Sequence, residues 1–488
     1  MVHIITAIYS LGFHHYDEHY QVLEFAALKL GKTTPVELPW EYPARIRPSL
    51  QPYIAYYFIK VFNIKEPFFA AMLLRQLSAV LGWFSISVFT LCVIQWFKTR
   101  WLQKLLVVLT VVLWFLPYTH VRFSSESWSA SFFFLGLSAL FVSQTECRRS
   151  LFGGELGHIV LAGFCFGLSY VFRMQSVLLL PGVFLWYLII GRMKFYKLFI
   201  MGMMVLLAIG FGVLSDYYFY GNWVNTALRY FYVNILEGKA STFGVEPWWF
   251  YFSDTIILGI APIGFLLIIG VLMAWLRFPK NIITWATVPF FLVHCLVSHK
   301  ELRFIFPMVN ALPVLLVMAV SSVKQEQFEN FSQALKKALK WLLYAFVISN
   351  AIVMLYVAFQ PARKELPVFK YFNDNYFNEE IIIIGYGNGQ DPYRSFSTLP
   401  MNFYRPANIR THYTTDTTLI NYIVKNAQVP VFLYTKERGF NTPPKLDKLK
   451  KNWKIEHYTL SPFYKKLDFN GWVSRTPVYA IYRLKGEE

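Results

Sequence analysis

Residues 198–219 read LFIMGMMVLLAIGFGVLSDYYF, a run of 22 residues in which Asp216, close to the far end, is the one charged side chain. A helix of that length rises about 30 Å, the thickness of a bilayer's hydrocarbon core. Arg192, Lys194 and Lys197 precede the run, as basic residues do on the cytoplasmic flank of a span. Working outward, similar apolar runs lie near 68–97, 103–118, 127–144, 156–172, 175–190, 251–275, 282–297, 303–321 and 340–359. Residues 1–13 read as the outer half of one more span, either a short helix or the remainder of a longer one. They carry neither the basic start nor the small-residue cleavage site of a secretory signal.

Composition agrees. The 488-residue chain is 56% hydrophobic, 19% aromatic and only 15% charged, where a soluble chain approaches a quarter charged. Its net charge of +18 is scattered between apolar runs instead of forming one stripe, which argues against nucleic acid and for membrane orientation. Lys98, Arg100 and Lys104 form one basic cluster, Arg148 and Arg149 another, then Arg192, Lys194 and Lys197, then Arg277 and Lys280, then Lys324, Lys336, Lys337 and Lys340. These fall on alternate connectors, so they are assigned to the cytoplasm. Segments 14–67, 119–126, 220–250 and 298–302, with the tail from 360, then face the other side. That gives about eleven crossings, with the N-terminus cytoplasmic. Residues 325–340 (QEQFENFSQALKKALK) place Phe328, Phe331, Leu335 and Leu339 at helical spacing, the pattern of a helix lying on the cytoplasmic surface; an ordinary solvated connector is the alternative.

Beyond residue 360 the texture changes. Ile381–Ile384, 429–433 and 478–482 read as strands separated by Gly-Asn-Gly and Pro-Pro turns. The tail holds 19 Lys and Arg against 12 Asp and Glu. The organisation expected is a membrane module over 1–359, with an external first loop at 14–67, and a small basic external α+β domain over 360–488. Of the four cysteines, Cys92, Cys165 and Cys295 lie in apolar runs and Cys147 in a basic connector, so the tail has neither a disulfide nor a thiolate metal site.

Three external segments could carry chemistry. Residues 14–24 (HHYDEHYQVLE) put Asp17 and Glu18 directly after an apolar run, where ionisable groups are costly and usually functional or well paired. Helical character over 18–30 makes Asp17 a candidate N-cap as well. The same stretch fits H-x-x-E-H through His15, Glu18 and His19, the inverted zinc-protease pattern, although no downstream acidic ligand lies on a clear helix. Residues 298–304 (SHKELRF) form a charged hinge in which His299, Lys300 and Arg303 could grip a phosphate with Glu301 as partner, or could only touch lipid headgroups. Residues 238–251 (GKASTFGVEPWWFY) are aromatic, suited equally to stacking on sugar and to an interfacial belt. Arg122 and Arg173, at external span ends, read as snorkelling residues.

With those segments assembled, the chain resembles the Dol-P-mannose-dependent mannosyltransferases of glycosyltransferase family 22, and within them those that add the third mannose of GPI. The resemblance is carried by Asp17-Glu18 with Gln21 and Glu24, Trp40-Glu41, Arg47-Pro48-Ser49 with Pro52, Thr242-Phe243-Gly244, Pro247-Trp248, Tyr251-Phe252, and Ser298-His299-Lys300-Glu301 with Arg303-Phe304. It implies a GT-C-type helix bundle with its active site on the external face. It also implies a mannose donor on a polyprenyl (dolichyl-type) phosphate, a glycolipid or lipid-linked glycan acceptor, and an α-mannoside made with inversion. Asp17 would be the catalytic base with Glu18 beside it; Glu41, Arg45, Arg47, Trp248, His299, Lys300 and Arg303 would bind substrate. His14-His15-Tyr16 departs from the family's usual His-Pro before the acids. Inversion needs a base opposite the leaving group, and a phosphate leaving group needs cations and no general acid, so neither metal nor cofactor is expected. A transporter or flippase of lipid-linked sugars is the alternative, but it would need charge at mid-membrane depth. A bacterial inner membrane is the favoured location and the endoplasmic reticulum membrane the alternative.

Overall fold

The computed structural model describes residues 1–144, 154–323, 329–387, 392–394, 399–440, 452–468 and 471–485. Cys147, Arg148, Arg149, Lys324, Phe328, the rest of the Gly-Asn-Gly turn after Gly387 and the Pro-Pro turn lie outside the described residues. Among the described residues, six helices are long and apolar enough to cross a membrane: Pro67–Trp96, Ser125–Ser143, Glu155–Phe172, Phe195–Tyr220, Leu302–Ser321 and Gln333–Ala358. Met174–Ile189, Pro262–Arg277 and Ile282–Leu296 are shorter apolar helices. The chain divides into two compact units, one of Met1–Ser10, Ala44–Ile54 and Leu73–Phe359, the other of Leu11–Pro43, Ala55–Met72 and Gln360–Glu488.

The first unit is helical, and its departures from the expected spans have local causes. The run 103–118 is two helices, Arg100–Val112 and Phe115–His120. Pro117 has no N–H to give the Leu113 carbonyl, and its ring would collide there. The run 251–275 likewise splits into Phe250–Leu258 and Ala261–Arg277, with Pro262 four residues beyond Leu258 and Ile260 left-handed at φ 67°. Of the expected surface helix at 325–340, residues 325–328 lie outside the described residues. Ser332 caps a continuous helix Gln333–Ala358 through Leu335 N at 3.2 Å, and residues 333–340 are its first turns.

Phe89, Phe134, Phe166, Phe290 and Val317 belong to one buried apolar core. Gly163 and Gly167, four residues apart, let helix Glu155–Phe172 lie close against Phe195–Tyr220. A Cβ on Gly163 would come within 2.4 Å of the Met201 carbonyl, and one on Gly167 within 2.5 Å of Ala208 Cβ. Small residues at that spacing are how helices associate in lipid, where apolar surface alone gives no drive. Arg122 is buried rather than snorkelling, and Arg75 is buried as well. Arg75 Nε donates to the Ala7 carbonyl at 2.9 Å, while Arg122 donates to the carbonyl and hydroxyl of Ser10. Together they satisfy carbonyls at the C-terminal end of helix Val2–Tyr9.

The second unit contains a five-stranded sheet: β1 (Ile381–Tyr386), β2 (Ile409–Thr414), β3 (Val431–Arg438), β4 (Trp453–Tyr458) and β5 (Pro477–Leu484), in the order β2-β1-β3-β5-β4. β1 pairs in parallel with β2 and β3, and β5 runs antiparallel to β3 and β4. Phe372 of helix Leu366–Tyr376 packs edge-on against Phe432, whereas Ile420 of helix Thr417–Asn426 joins Val431 and Leu433 in one cluster. Alternate β3 residues thus meet different helices, and β1, covered on both faces, is apolar throughout.

Candidate active site

In the second unit, Asp17 and Glu18 open a helix over Tyr16–Lys29 whose middle turn, His19–Leu23, is π-type. Such turns are rare and cluster at functional sites. Asp17 is not the N-cap. His15 is, with an extended backbone and its Nδ1 accepting from Asp17 N at 3.2 Å. A nitrogen that accepts this proton cannot also donate to Asp17 Oδ1, 3.5 Å away, so His15 does not neutralise the Asp17 carboxylate. The Asp17 side chain is 23% exposed. Glu18 is only 9% exposed and turns back, Oε2 accepting from His14 N at 3.1 Å. Neighbouring acids therefore have different environments: Asp17 reaches solvent while Glu18 secures the turn. Glu41, buried, accepts from Gln21 Nε2 at 3.1 Å.

The two histidines of the zinc-protease pattern have other work. His15 caps, and His19 is buried between the rings of Phe13 and Tyr404, its Nε2 2.8 Å from Glu24 Oε1. Several residues from the tail hold this helix. Arg363 lies over the Tyr16 ring at 4.0 Å and the Phe13 ring at 4.8 Å and donates to the His14 carbonyl. Phe403 N donates to Glu24 Oε1 at 2.9 Å, Tyr20 Oη to the Leu399 carbonyl at 2.7 Å, and Asn402 Nδ2 to Thr33 Oγ1 at 3.0 Å.

In the first unit, helix Ile282–Leu296 ends in extended backbone at Val297, and a 3-10 helix restarts at Leu302. The hinge between them is tied to the aromatic loop. Glu246 N donates to the Ser298 carbonyl at 3.0 Å, and Lys300 Nζ donates to the carbonyls of Glu246 (2.7 Å) and Val297 (2.6 Å). Lys300 is buried there and spends two of its protons as a clamp. Gly244, at φ 116° and ψ 151°, occupies a conformation open essentially to glycine alone. Its carbonyl stands 3.0 Å from His299 Nδ1.

His299 Nε2 faces Glu301 Oε1 at 3.1 Å. Both ring nitrogens thus meet atoms that only accept, so both are satisfied only when the imidazole is charged. The hydrogen bond to Glu301 accordingly lifts the His299 pKa above its ordinary 6.5. Arg303 joins the chain, Nε to Glu301 Oε2 and a terminal nitrogen to Glu126 Oε1 at 2.9 Å. Trp248 is 61% exposed on the same loop as Gly244. Arg47 lies over the Tyr230 ring at 5.4 Å, and Arg45 is half-exposed on left-handed backbone at φ 53°.

Two members of this network were not expected. Glu126, at the start of helix Ser125–Ser143, is buried and bridges Arg303 to Arg173, whose terminal nitrogen is 2.8 Å from the same oxygen. Arg173 is therefore an interior ion-pair partner and no snorkelling residue. An acid within the opening turn of an apolar helix is the signal that could have drawn attention to Glu126.

The model of the Alg9-like mannosyltransferase family matches residues 1–395, a stretch holding both the acid helix and the basic hinge. The chain belongs to the Alg9-like mannosyltransferase family. Among similar proteins, GPI mannosyltransferase 3 of Trypanosoma brucei brucei is 29% identical over 23% of this chain and 21% of its own length. A Schizosaccharomyces pombe protein described as a probable Dol-P-Man:Man(7)GlcNAc(2)-PP-Dol alpha-1,6-mannosyltransferase is 29% identical over 35% of this chain and 30% of its own. GPI mannosyltransferase 3 of the same yeast is 25% identical over 64% and 65%. The matches therefore span less than two thirds of these relatives' length. A crystal structure of ArnT from Cupriavidus metallidurans, bound to undecaprenyl phosphate, superposes with a TM-score of 0.50 at 11% identity, covering 98% of this chain and 96% of that one. At that identity the likeness concerns fold alone, the GT-C-type helix bundle. This member of the Alg9-like family is an integral membrane protein of that architecture.

Proposed function

We propose that this Alg9-like family member transfers mannose from a polyprenyl phosphate carrier to a glycolipid or lipid-linked glycan, with inversion to an α-linkage. The family match over residues 1–395 carries the reading, and relatives named for GPI and Dol-P-Man mannosyl transfer support it. The same match favours transfer over transport. ArnT, of the same fold, was crystallised with undecaprenyl phosphate, which supports a polyprenyl phosphate as the leaving group.

In the proposed step the acceptor hydroxyl oxygen bonds to the anomeric carbon as the bond from that carbon to the phosphate oxygen breaks. The electron pair leaves on the phosphate, and Asp17 takes the hydroxyl proton. Of the two acids Asp17 suits the base better, because it reaches solvent while Glu18 is occupied with His14 N. The charge arriving on the phosphate is met by His299, Arg303, Arg45 and Arg47, the arginines offering a fork of donors. Lys300 keeps hinge and loop together, Trp248 offers a ring for sugar, and Glu41 fixes Gln21 beside the acids. No metal is required. Residues 1–359 form the membrane module, with about eleven crossings and the loop 14–67 external, and 360–488 an external domain. The host membrane is a bacterial inner membrane, with the endoplasmic reticulum membrane as the alternative.

The test is the purified chain in proteoliposomes with polyprenyl-phosphate [3H]mannose and a lipid extract as acceptor. Mannolipid should form, with chelator present or absent. Lipid crossing the bilayer with no glycosidic bond made, or transfer abolished by chelator, would refute this proposal.

A further inference from the structure

One carboxylate oxygen in the first unit receives two guanidinium groups. Glu126 Oε1 lies 2.8 Å from Arg173 and 2.9 Å from Arg303, and all three side chains are at most 6% exposed. Both guanidinium groups also lie 5.2 Å from the centre of the Phe304 ring. Following the contacts outward, Arg173, Glu126, Arg303, Glu301 and His299 form an unbroken line of charged groups. Three are cations once His299 is protonated and two are anions, so the line carries one net positive charge. Arg47 and Tyr230 stand near enough to act on Arg173 electrostatically. Arg173 Nε is buried without a hydrogen-bond acceptor among the described residues, although its terminal nitrogen also donates to Ser125 Oγ. Surplus positive charge and an unused donor in a place poor in water are costly unless something anionic completes them.

We infer that Arg173 is a further phosphate-gripping cation of the donor site, held in register with Arg303 by their shared Glu126, and that it takes the phosphate of a polyprenyl phosphate. This rests on reading the chain as a transferase using such a donor. Arg suits the task because its planar fork meets two phosphate oxygens at once, which a lysine cannot do. Glu126 is a positioning residue: it orients both forks while leaving a net positive charge for the ligand.

The full chain in nanodiscs is titrated with undecaprenyl phosphate, undecaprenol and inorganic phosphate, following tryptophan fluorescence. Wild type should bind the lipid phosphate at least tenfold more tightly than the alcohol or the free ion. Arg173→Gln should lose tenfold or more on the lipid phosphate with the alcohol unchanged, and Arg173→Lys should lose less. The double variant Glu126→Gln with Arg173→Gln restores the net charge of the triad; it should unfold at the wild-type temperature yet stay weak for the lipid phosphate. Wild-type binding by the double variant, unchanged binding by Arg173→Gln, or failure of all three variants to fold would each make Arg173 purely structural and overturn the inference. Equal wild-type affinity for inorganic phosphate would overturn the lipid assignment. Wild type that does not prefer phosphate to alcohol would remove the donor reading itself, a result separate from failure of Arg173 alone.

Discussion

His299 shows how a side chain's surroundings set its charge. A carbonyl and a carboxylate on its two nitrogens favour the imidazolium, and the pKa is raised. With the folded-state value above the unfolded one, the charged form stabilises the hinge fully below about pH 6.5, and that contribution is lost as pH climbs through the raised value. If the cation helps hold the donor phosphate, the donor KM should rise over the same interval above pH 6.5. His299→Gln should start with a higher KM and show no such rise, which donor titrations across pH would reveal. The charged hinge and the acid pair were legible in sequence because each stands out against apolar flanks. Glu126 and Arg173 were not, since they sit at the ends of different helices and only folding brings Arg173 and Arg303 onto one Glu126 oxygen. Likewise the sequence marks Asp17 and Glu18 as a pair, while their division into an accessible acid and a turn-securing one depends on the His15 cap.

At the scale of elements, the strands that were legible are those covered on both faces. β1 is apolar throughout and β3 and β5 each contain an apolar run, whereas β2 (IRTHYT) and β4 (WKIEHY) are edge strands, partly exposed and mixed in composition. Helix breaks were missed where a proline inside an apolar run removed one hydrogen bond without interrupting the hydropathy. The segment 399–404 lies beyond the family match yet holds the acid helix within its unit, chiefly by Tyr404 stacking on His19 and packing on Phe68. Tyr404→Ala should destabilise that unit by about 3 kcal/mol, as removal of a buried aromatic ring does. Tyr404→Phe, keeping the ring, should cost at most about 1 kcal/mol. Thermal unfolding in detergent would measure both, and similar losses would show that the hydroxyl and not the ring holds the helix.

For the whole molecule, basic connectors give the chain its proposed direction through the bilayer. Cysteines introduced at Lys280 and Ser241, both exposed in the first unit, should react with a membrane-impermeant thiol reagent from opposite sides, Lys280 from the cytoplasm. Labelling of both from one side would remove the orientation. Sequence revealed the membrane class readily, because apolar runs report burial in lipid directly. It did not reveal that the segments 11–43 and 55–72 pack with the tail in one compact unit, since contacts between distant segments leave no local pattern. Transfer as proposed depends on a carboxylate taking a proton from the acceptor sugar. The most direct measurement is single-turnover mannosyl transfer in proteoliposomes by wild type, Asp17→Asn and Glu18→Gln, each checked for wild-type folding. The chemical step should fall by about 10²- to 10⁴-fold for Asp17→Asn and by less than about tenfold for Glu18→Gln, which keeps an oxygen for His14 N. Transfer at the wild-type rate by Asp17→Asn would contradict the proposal.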